Sequence, residues 1–161
     1  MRTLKLIIWG VISLYFQILI SPKLVIGGIM PNILLAYLIF VSINLSSTPA
    51  LLISFFVGLI VDVLQPSMFG AYTSIFIIIS FIIIQFHMNL DKTQILLVLL
   101  SIVLINFIYS FLISLFYFFQ TEFTLNLFLN TFFAFLYNSG FSLVFLYLFV
   151  LIDKLKIGFH D

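Results

Sequence analysis

Polar residues divide this sequence into six long apolar runs, and that pattern constrains the fold more than any other feature. Hydrophobic residues make up 65% of the 161 residues and charged residues only 7%, whereas about a quarter of an ordinary soluble domain is charged. A chain with so little polar surface cannot face water, which excludes a soluble globular enzyme. The apolar runs cover residues 6–20, 24–43, 51–64, 71–86, 95–119 and 123–152.

Each run is expected to form a membrane helix. Lipid offers no water to satisfy backbone groups, so only helices and closed barrels span it. Barrel strands would alternate polar and apolar residues, and these runs do not. The sequence therefore predicts one all-α domain over residues 1–161, a bundle of six transmembrane helices. Runs 6–20 and 51–64 are shorter than the roughly 20 residues of a full crossing, so either could be tilted or partly re-entrant.

The basic residues predict the orientation of this bundle. With six spans, five of the six Lys and Arg residues share one side of the membrane. The positive-inside rule then places both termini in the cytoplasm. Five helices would put the two basic termini on opposite sides, which fits the rule less well. The residues on the first side are Arg2, Lys5, Lys92, Lys154 and Lys156, and Lys23 stands alone on the other.

Small and polar residues recur at helical spacing in four of the predicted helices. Such residues let membrane helices approach closely and hydrogen-bond across the contact, so helix packing is their expected role. A ligand cavity lined by the Asn and Tyr residues is the alternative. The stripes consist of Gly10, Ser13, Gln17 and Ser21 on the first helix, Ser54, Gly58 and Asp62 on the third, Asn106, Ser110, Ser114 and Tyr117 on the fifth, and Asn126, Asn130, Ala134 and Asn138 on the sixth.

Asp62 is the acidic residue that falls within a run, and a carboxylate near hydrocarbon is a functional-site candidate. Because Gln65 and Pro66 follow it, we expect it near the interface, where it either orients the next turn or contacts a partner. His87 and His160 are widely separated and the chain has no Cys, so the sequence predicts no metal site. Motifs for catalysis and clusters of basic residues for nucleic acid are absent as well. The sequence thus predicts no enzyme, no cofactor and no nucleic-acid partner.

The second to fourth runs carry a pattern that resembles the bacterial rod shape-determining MreD family. A Pro-Asn pair opens one helix, a Gly-Leu-x-x-Asp sequence closes the next, and a proline and a glycine then lead into the fourth. Chain length and the six predicted helices fit the same family. The residues that carry the resemblance are Pro31, Asn32, Gly58, Asp62, Pro66 and Gly70, which it implies are partner-binding or structural.

This resemblance implies a non-enzymatic scaffold of cell-wall elongation in the bacterial inner membrane. It implies binding to the bitopic protein MreC and, indirectly, to MreB, RodA and a penicillin-binding transpeptidase. The family is also similar in fold to the S components of energy-coupling-factor transporters, so the alternative is a transport subunit that binds a small molecule. An S component should hold an internal polar cavity, whereas a scaffold should expose a face for a partner helix. Because the polar residues are uncharged and spread over several helices, the sequence favours the scaffold. We therefore expect the protein to bind no vitamin-like ligand.

Overall fold

The computed structural model describes residues 2–87, 95–120 and 125–154. Within these residues the chain is helical and has no β-strand, which confirms the predicted all-α class. The six helices are α1 (Arg2–Leu19), α2 (Ile33–Asn44), α3 (Ser47–Leu64), α4 (Ala71–His87), α5 (Ile95–Gln120) and α6 (Leu125–Lys154).

The helices differ in length, and the difference shapes the bundle. Among the described residues, α3, α5 and α6 are long and apolar enough to cross a membrane, while α1, α2 and α4 are shorter apolar helices. With 12 residues, α2 reaches only about 18 Å at 1.5 Å per residue. That is well short of a hydrocarbon core of about 30 Å.

The prediction for the second run, 24–43, was wrong over its first part, because the helix begins only at Ile33. The preceding residues form a tight turn in which Ile26 and Ile29 exchange backbone hydrogen bonds of 3.1 and 3.0 Å. Gly27 and Gly28 occupy positive φ values of 58° and 81°, a conformation that glycine adopts without steric cost. Pro31 then disfavours helix in the residue before it.

The prediction for the third run, 51–64, was too short. The helix α3 begins four residues earlier, at Ser47, and is a full 18 residues long.

The core of the bundle is built around α2. Ten of its residues, from Ile33 to Ser42, are buried, as expected for a helix that is apolar on every side. It packs against α1, α3, α4 and α6, while α5 packs against α4 and α6. Aromatic rings close the core on one side: Phe149 of α6 stacks on Phe40 at 5.5 Å and meets Trp9 of α1 edge-on at 5.9 Å.

The outer faces of the bundle are apolar. Val11, Leu100 and Phe119 leave 62%, 64% and 80% of their surface exposed. Because monomeric soluble proteins rarely expose large contiguous apolar patches, this surface is suited to lipid and not to water. Together with the three membrane-length helices, it identifies the chain as a membrane protein.

Candidate functional site

Asp62 joins the end of α3 to the beginning of α4. Its Oδ1 accepts a hydrogen bond from the backbone N–H of Tyr72 at 2.9 Å. Its Oδ2 accepts from the backbone N–H of Thr73 at 3.0 Å and from the Thr73 hydroxyl. Gly70, which precedes α4 at φ 90°, has no side chain to cap the helix. The buried carboxylate of Asp62 therefore does the capping from another helix, at the end where the helix dipole favours a negative charge.

The same two helices touch backbone to backbone beside this cap. A Cβ added at Gly58 would lie 2.5 Å from the Cα of Thr73, so only glycine fits there. One turn earlier in α3, the hydroxyl of Ser54 hydrogen-bonds that of Ser80 in α4. The predicted stripe Ser54–Gly58–Asp62 thus lies along the contact between α3 and α4.

Asn32 holds the beginning of α2 in place through three hydrogen bonds. Its Oδ1 accepts from the N–H of Leu35 at 3.2 Å, which makes it the N-cap of α2. Its backbone N–H donates to Oδ1 of Asn138 at 2.8 Å, and its Nδ2 donates to the hydroxyl of Tyr109 at 2.7 Å. Asn32 therefore connects α2 with α5 through its side-chain amide and with α6 through its backbone N–H.

Gln17 of α1 supports the same connection from the other side. Its Nε2 donates to the carbonyl of Pro31 at 3.1 Å, and its Oε1 accepts from the N–H of Ile33 at 2.8 Å. Both polar atoms of the Gln17 side chain therefore form hydrogen bonds with the backbone on either side of Asn32. Gln17 belongs to the stripe predicted on the first helix, whereas sequence reasoning did not single out Tyr109. Tyr109 lies three residues after Asn106 in α5, so its helical spacing was the signal that could have identified it.

A cavity of about 630 Å³ opens at the end of the bundle where α2, α4 and α6 begin and α1, α3 and α5 end. No Asp, Glu, Lys, Arg or His stands among the described residues that line it. Apart from apolar residues and glycines, the lining is made of amides, hydroxyls and phenols: Gln17, Asn32, Gln65, Tyr72, Tyr109, Ser110, Ser114, Tyr117, Asn130, Thr131 and Asn138.

The other predicted stripe residues divide between packing and this cavity. Asn106 is fully buried; it donates to the carbonyl of Ile102 in its own helix and accepts from the hydroxyl of Ser142 in α6 at 3.1 Å. Ser110, Ser114, Asn130 and Asn138 line the cavity. Asn126 belongs to α6, but its side chain lies outside the described residues.

The remaining motif residues lie around the rim of this end of the bundle. Pro31 is buried, whereas Pro66 is exposed and begins a short 3₁₀ turn, Pro66–Met68, between α3 and α4. The part of the chain that the structure describes holds no group of three or more His, Cys, Asp or Glu residues able to bind a metal ion. What the structure brings together is a helix-capping carboxylate, a network of amides and a neutral cavity.

These features define a small helical membrane protein whose polar groups hold helices together and line one cavity. A comparison with protein families adds the particular family: the model of the rod shape-determining protein MreD matches residues 1–155. Because the match covers nearly the whole chain, this protein belongs to the MreD family and is a membrane component of rod-shape determination. No curated protein and no solved structure matches the chain.

Proposed function

We propose that this protein is a non-enzymatic scaffold of the cell-wall elongation complex in the bacterial inner membrane. It would bind a bitopic partner of the MreC kind through helix faces and be linked through that partner to MreB, RodA and a penicillin-binding transpeptidase. The family match over residues 1–155 carries this proposal. The exposed apolar faces of the bundle support it, because a chain built almost entirely of membrane helices has to recognise partners with lipid-facing or interfacial surfaces.

The proposed arrangement is one domain, residues 1–161, with six spans and both termini in the cytoplasm. Support comes from the six consecutive helices and from the basic residues near both ends of the chain. Lys92 and Lys156 lie outside the described residues. In this orientation the cavity opens on the outer side of the membrane. A C-terminal reporter that is active only in the cytoplasm should be active, and activity of a periplasmic reporter there would contradict the six-span topology.

For the partner helix we propose the outward face of α6 around Gly140. A Cβ added at Gly140 would meet nothing within 4 Å, so this glycine serves no close contact inside the bundle. Leu136 and Val144, one turn before and after it, are 50% and 58% exposed. A glycine between two larger apolar residues forms a shallow notch, and such notches let membrane helices approach closely.

The six motif residues divide into two groups in this proposal. Pro31, Asn32, Gly58 and Asp62 are buried, and the bonds of Asn32 and Asp62 support a structural role that shapes the outer end of the bundle. Pro66 and Gly70 lie on accessible surface beside Phe69, which is 67% exposed. We assign the interfacial part of the partner contact to Pro66, Phe69 and the half-buried Gly70.

Co-purification of an MreC-like bitopic protein, co-expressed with this chain and extracted in mild detergent, tests the scaffold. We expect the partner to be retained by the unaltered chain and by Val11→Leu, a control on the exposed face of α1. Gly140→Leu should fill the notch and release most of the partner while the protein accumulates normally. Equal retention by Gly140→Leu and the control would contradict the proposed face, and no retention by any form would contradict the scaffold.

The alternative function, a transport subunit that binds a small molecule, would require an internal cavity with polar groups, and the cavity described above is where such a molecule would bind. The family match favours the scaffold. Native mass spectrometry separates the two: a stoichiometric small molecule without any retained partner would establish the transport subunit. A retained partner would establish the scaffold, whether or not the cavity holds a ligand.

A further inference from the structure

The cavity follows from the way α2 fits among its neighbours. Because α2 starts at Ile33 and is short, the space beyond its first turn is enclosed by the turn before it and by longer helices. Its volume of about 630 Å³ falls within the roughly 300–1,000 Å³ of small-molecule sites. The space is therefore a product of the backbone arrangement and large enough for a ligand.

Hydrogen bonds to the backbone show which polar groups of the cavity lining are donors and which are acceptors. Oδ1 of Asn32 accepts from the N–H of Leu35, so its Nδ2 faces Tyr109 and the phenol oxygen accepts that bond. Oδ1 of Asn138 likewise accepts from the backbone N–H of Asn32. The phenol hydrogen of Tyr109 and the amide hydrogens of Asn138 then remain to donate elsewhere. Both residues line the cavity and are at least nine-tenths buried.

The same lining argues against a charged ligand. A buried ion needs an opposite charge or a dense set of hydrogen bonds, and the described lining residues include no ionised side chain. The nearby carboxylate of Asp62 already accepts bonds from Tyr72 and Thr73. Rings of Tyr72, Phe76 and Tyr109 add apolar walls that suit a ring-shaped body.

We propose that this cavity binds an uncharged small molecule with a ring-shaped body, whose carbonyl and hydroxyl oxygens accept hydrogen bonds from Tyr109 and Asn138. The site is independent of the proposed scaffold role, because it involves the interior of the bundle and not the face of α6. A ligand there would be held at the point where α2, α5 and α6 are joined through Asn32.

Equilibrium dialysis of the full chain in lipid nanodiscs tests this site, since sugar-headed detergents would compete for it. The probe is N-acetylglucosamine, which is uncharged and carries one amide carbonyl and several hydroxyls. Its matched analogues are glucosamine, a cation, and glucuronate, an anion. We expect saturable one-to-one binding of N-acetylglucosamine, at least tenfold tighter than either analogue. Absence of saturable binding, or tighter binding of a charged analogue, would overturn the proposal.

Variants locate the binding to the cavity. Tyr109→Phe removes one donor and should weaken binding about three- to tenfold, which corresponds to the loss of one hydrogen bond. Ala134→Phe fills the cavity from α6 and Ser114→Phe fills it from α5, and each should abolish binding. Leu148→Phe, at an exposed position of α6 outside the cavity, is the control and should bind normally. Unchanged binding in folded Ala134→Phe or Ser114→Phe protein would overturn the proposal, whatever the partner experiment shows.

Discussion

The α3–α4 pair and the α5–α6 pair use similar small and polar residues in different ways. Between α3 and α4, Gly58 brings the backbones together and Asp62 caps the neighbouring helix. Between α5 and α6, Asn106 and Ser142 make one buried contact. Further along the same helices, the polar stripe turns to the cavity instead of to the other helix. A polar stripe in a membrane helix therefore does not by itself distinguish a packing seam from the wall of a cavity.

The residues at the two contacts differ in size. A glycine in α3 lets its backbone meet α4 directly, so short side chains such as Ser54 and Ser80 can reach each other. Between α5 and α6 the rings of Phe107 and Phe135 meet edge-on with centroids 5.7 Å apart. The α5–α6 contact therefore includes large aromatic side chains, whereas α3 and α4 meet through glycine and serine.

The largest effect is expected where the backbones touch. Gly58→Ala places a Cβ 2.5 Å from the Cα of Thr73, and a backbone atom cannot move aside as a flexible side chain can. We expect a loss of about 3 kcal/mol in the free energy of unfolding, the upper range for overpacking. Circular dichroism during unfolding in mixed detergent micelles measures it.

Gly140→Ala is the matched control for this change, because a Cβ there has open space. Alanine loses less backbone entropy than glycine on folding into a helix, so this variant should gain up to about 1 kcal/mol. Similar losses in the two glycine variants would show that the contact with α4 is not what makes glycine necessary at position 58.

A second test replaces the carboxylate of Asp62 by a neutral amide and measures the free energy of unfolding. Two N–H groups and one hydroxyl donate to its two oxygens. Asp62→Asn keeps the shape but replaces one oxygen by an NH₂ group, which then faces a donor from either Tyr72 or Thr73. Leaving a buried donor unsatisfied costs about 1–3 kcal/mol, so the variant should be less stable than the unaltered chain.

Thr73→Val is the companion variant for Asp62, since it removes the hydroxyl donor and keeps both backbone donors. We expect it to cost about 1 kcal/mol, the net value of an ordinary hydrogen bond. The same unfolding measurement compares them. If Asp62→Asn were fully stable yet lost the bitopic partner, the carboxylate would face the partner and the capping role would be wrong.

The sequence was sufficient to predict most of the helices and insufficient for the pairing between them. Apolar runs locate α4 and α5 to within a residue because lipid demands uninterrupted helix there. The same reasoning failed over residues 24–32, where the residues are apolar but Gly27, Gly28 and Pro31 make a turn. In that segment the backbone preferences of glycine and proline decide the structure, and hydropathy does not report them.

The candidate site shows the same limit. The stripe that contains Asn138 is readable from helical spacing, but its contact with Asn32, 106 positions away, depends on how α2 and α6 pack. The contact of Asp62 with Thr73 spans only 11 positions, and Gly70 between them signals a helix start that lacks its own cap. Local contacts could be inferred from the residue types, whereas the cavity needed the full arrangement of the helices.

A third test compares two Asn residues of the predicted stripes. Asn106→Leu removes a fully buried amide and leaves the hydroxyl of Ser142 without its acceptor, so we expect a loss of about 1 kcal/mol. Asn130 is exposed at the cavity, and Asn130→Leu should change the free energy of unfolding by less than about 0.5 kcal/mol. Equal losses of the free energy of unfolding in the two variants would mean that Asn130 packs against another helix and does not face the cavity.

The smallest contribution from a contact between helices is expected at the hydroxyl pair of Ser54 and Ser80, where a double-mutant cycle isolates the contact between α3 and α4. The Ser54 hydroxyl also reaches the carbonyl of Ala50 in its own helix at 2.9 Å. Ser80→Ala therefore leaves it partly satisfied, and the coupling between the two serines should be close to 0.6 kcal/mol, the average for polar contacts between membrane helices. The free energies of unfolding of Ser54→Ala, Ser80→Ala and the double variant give this coupling directly. A coupling near zero would mean that glycine packing and the Asp62 cap hold α3 to α4 without help from the serine pair.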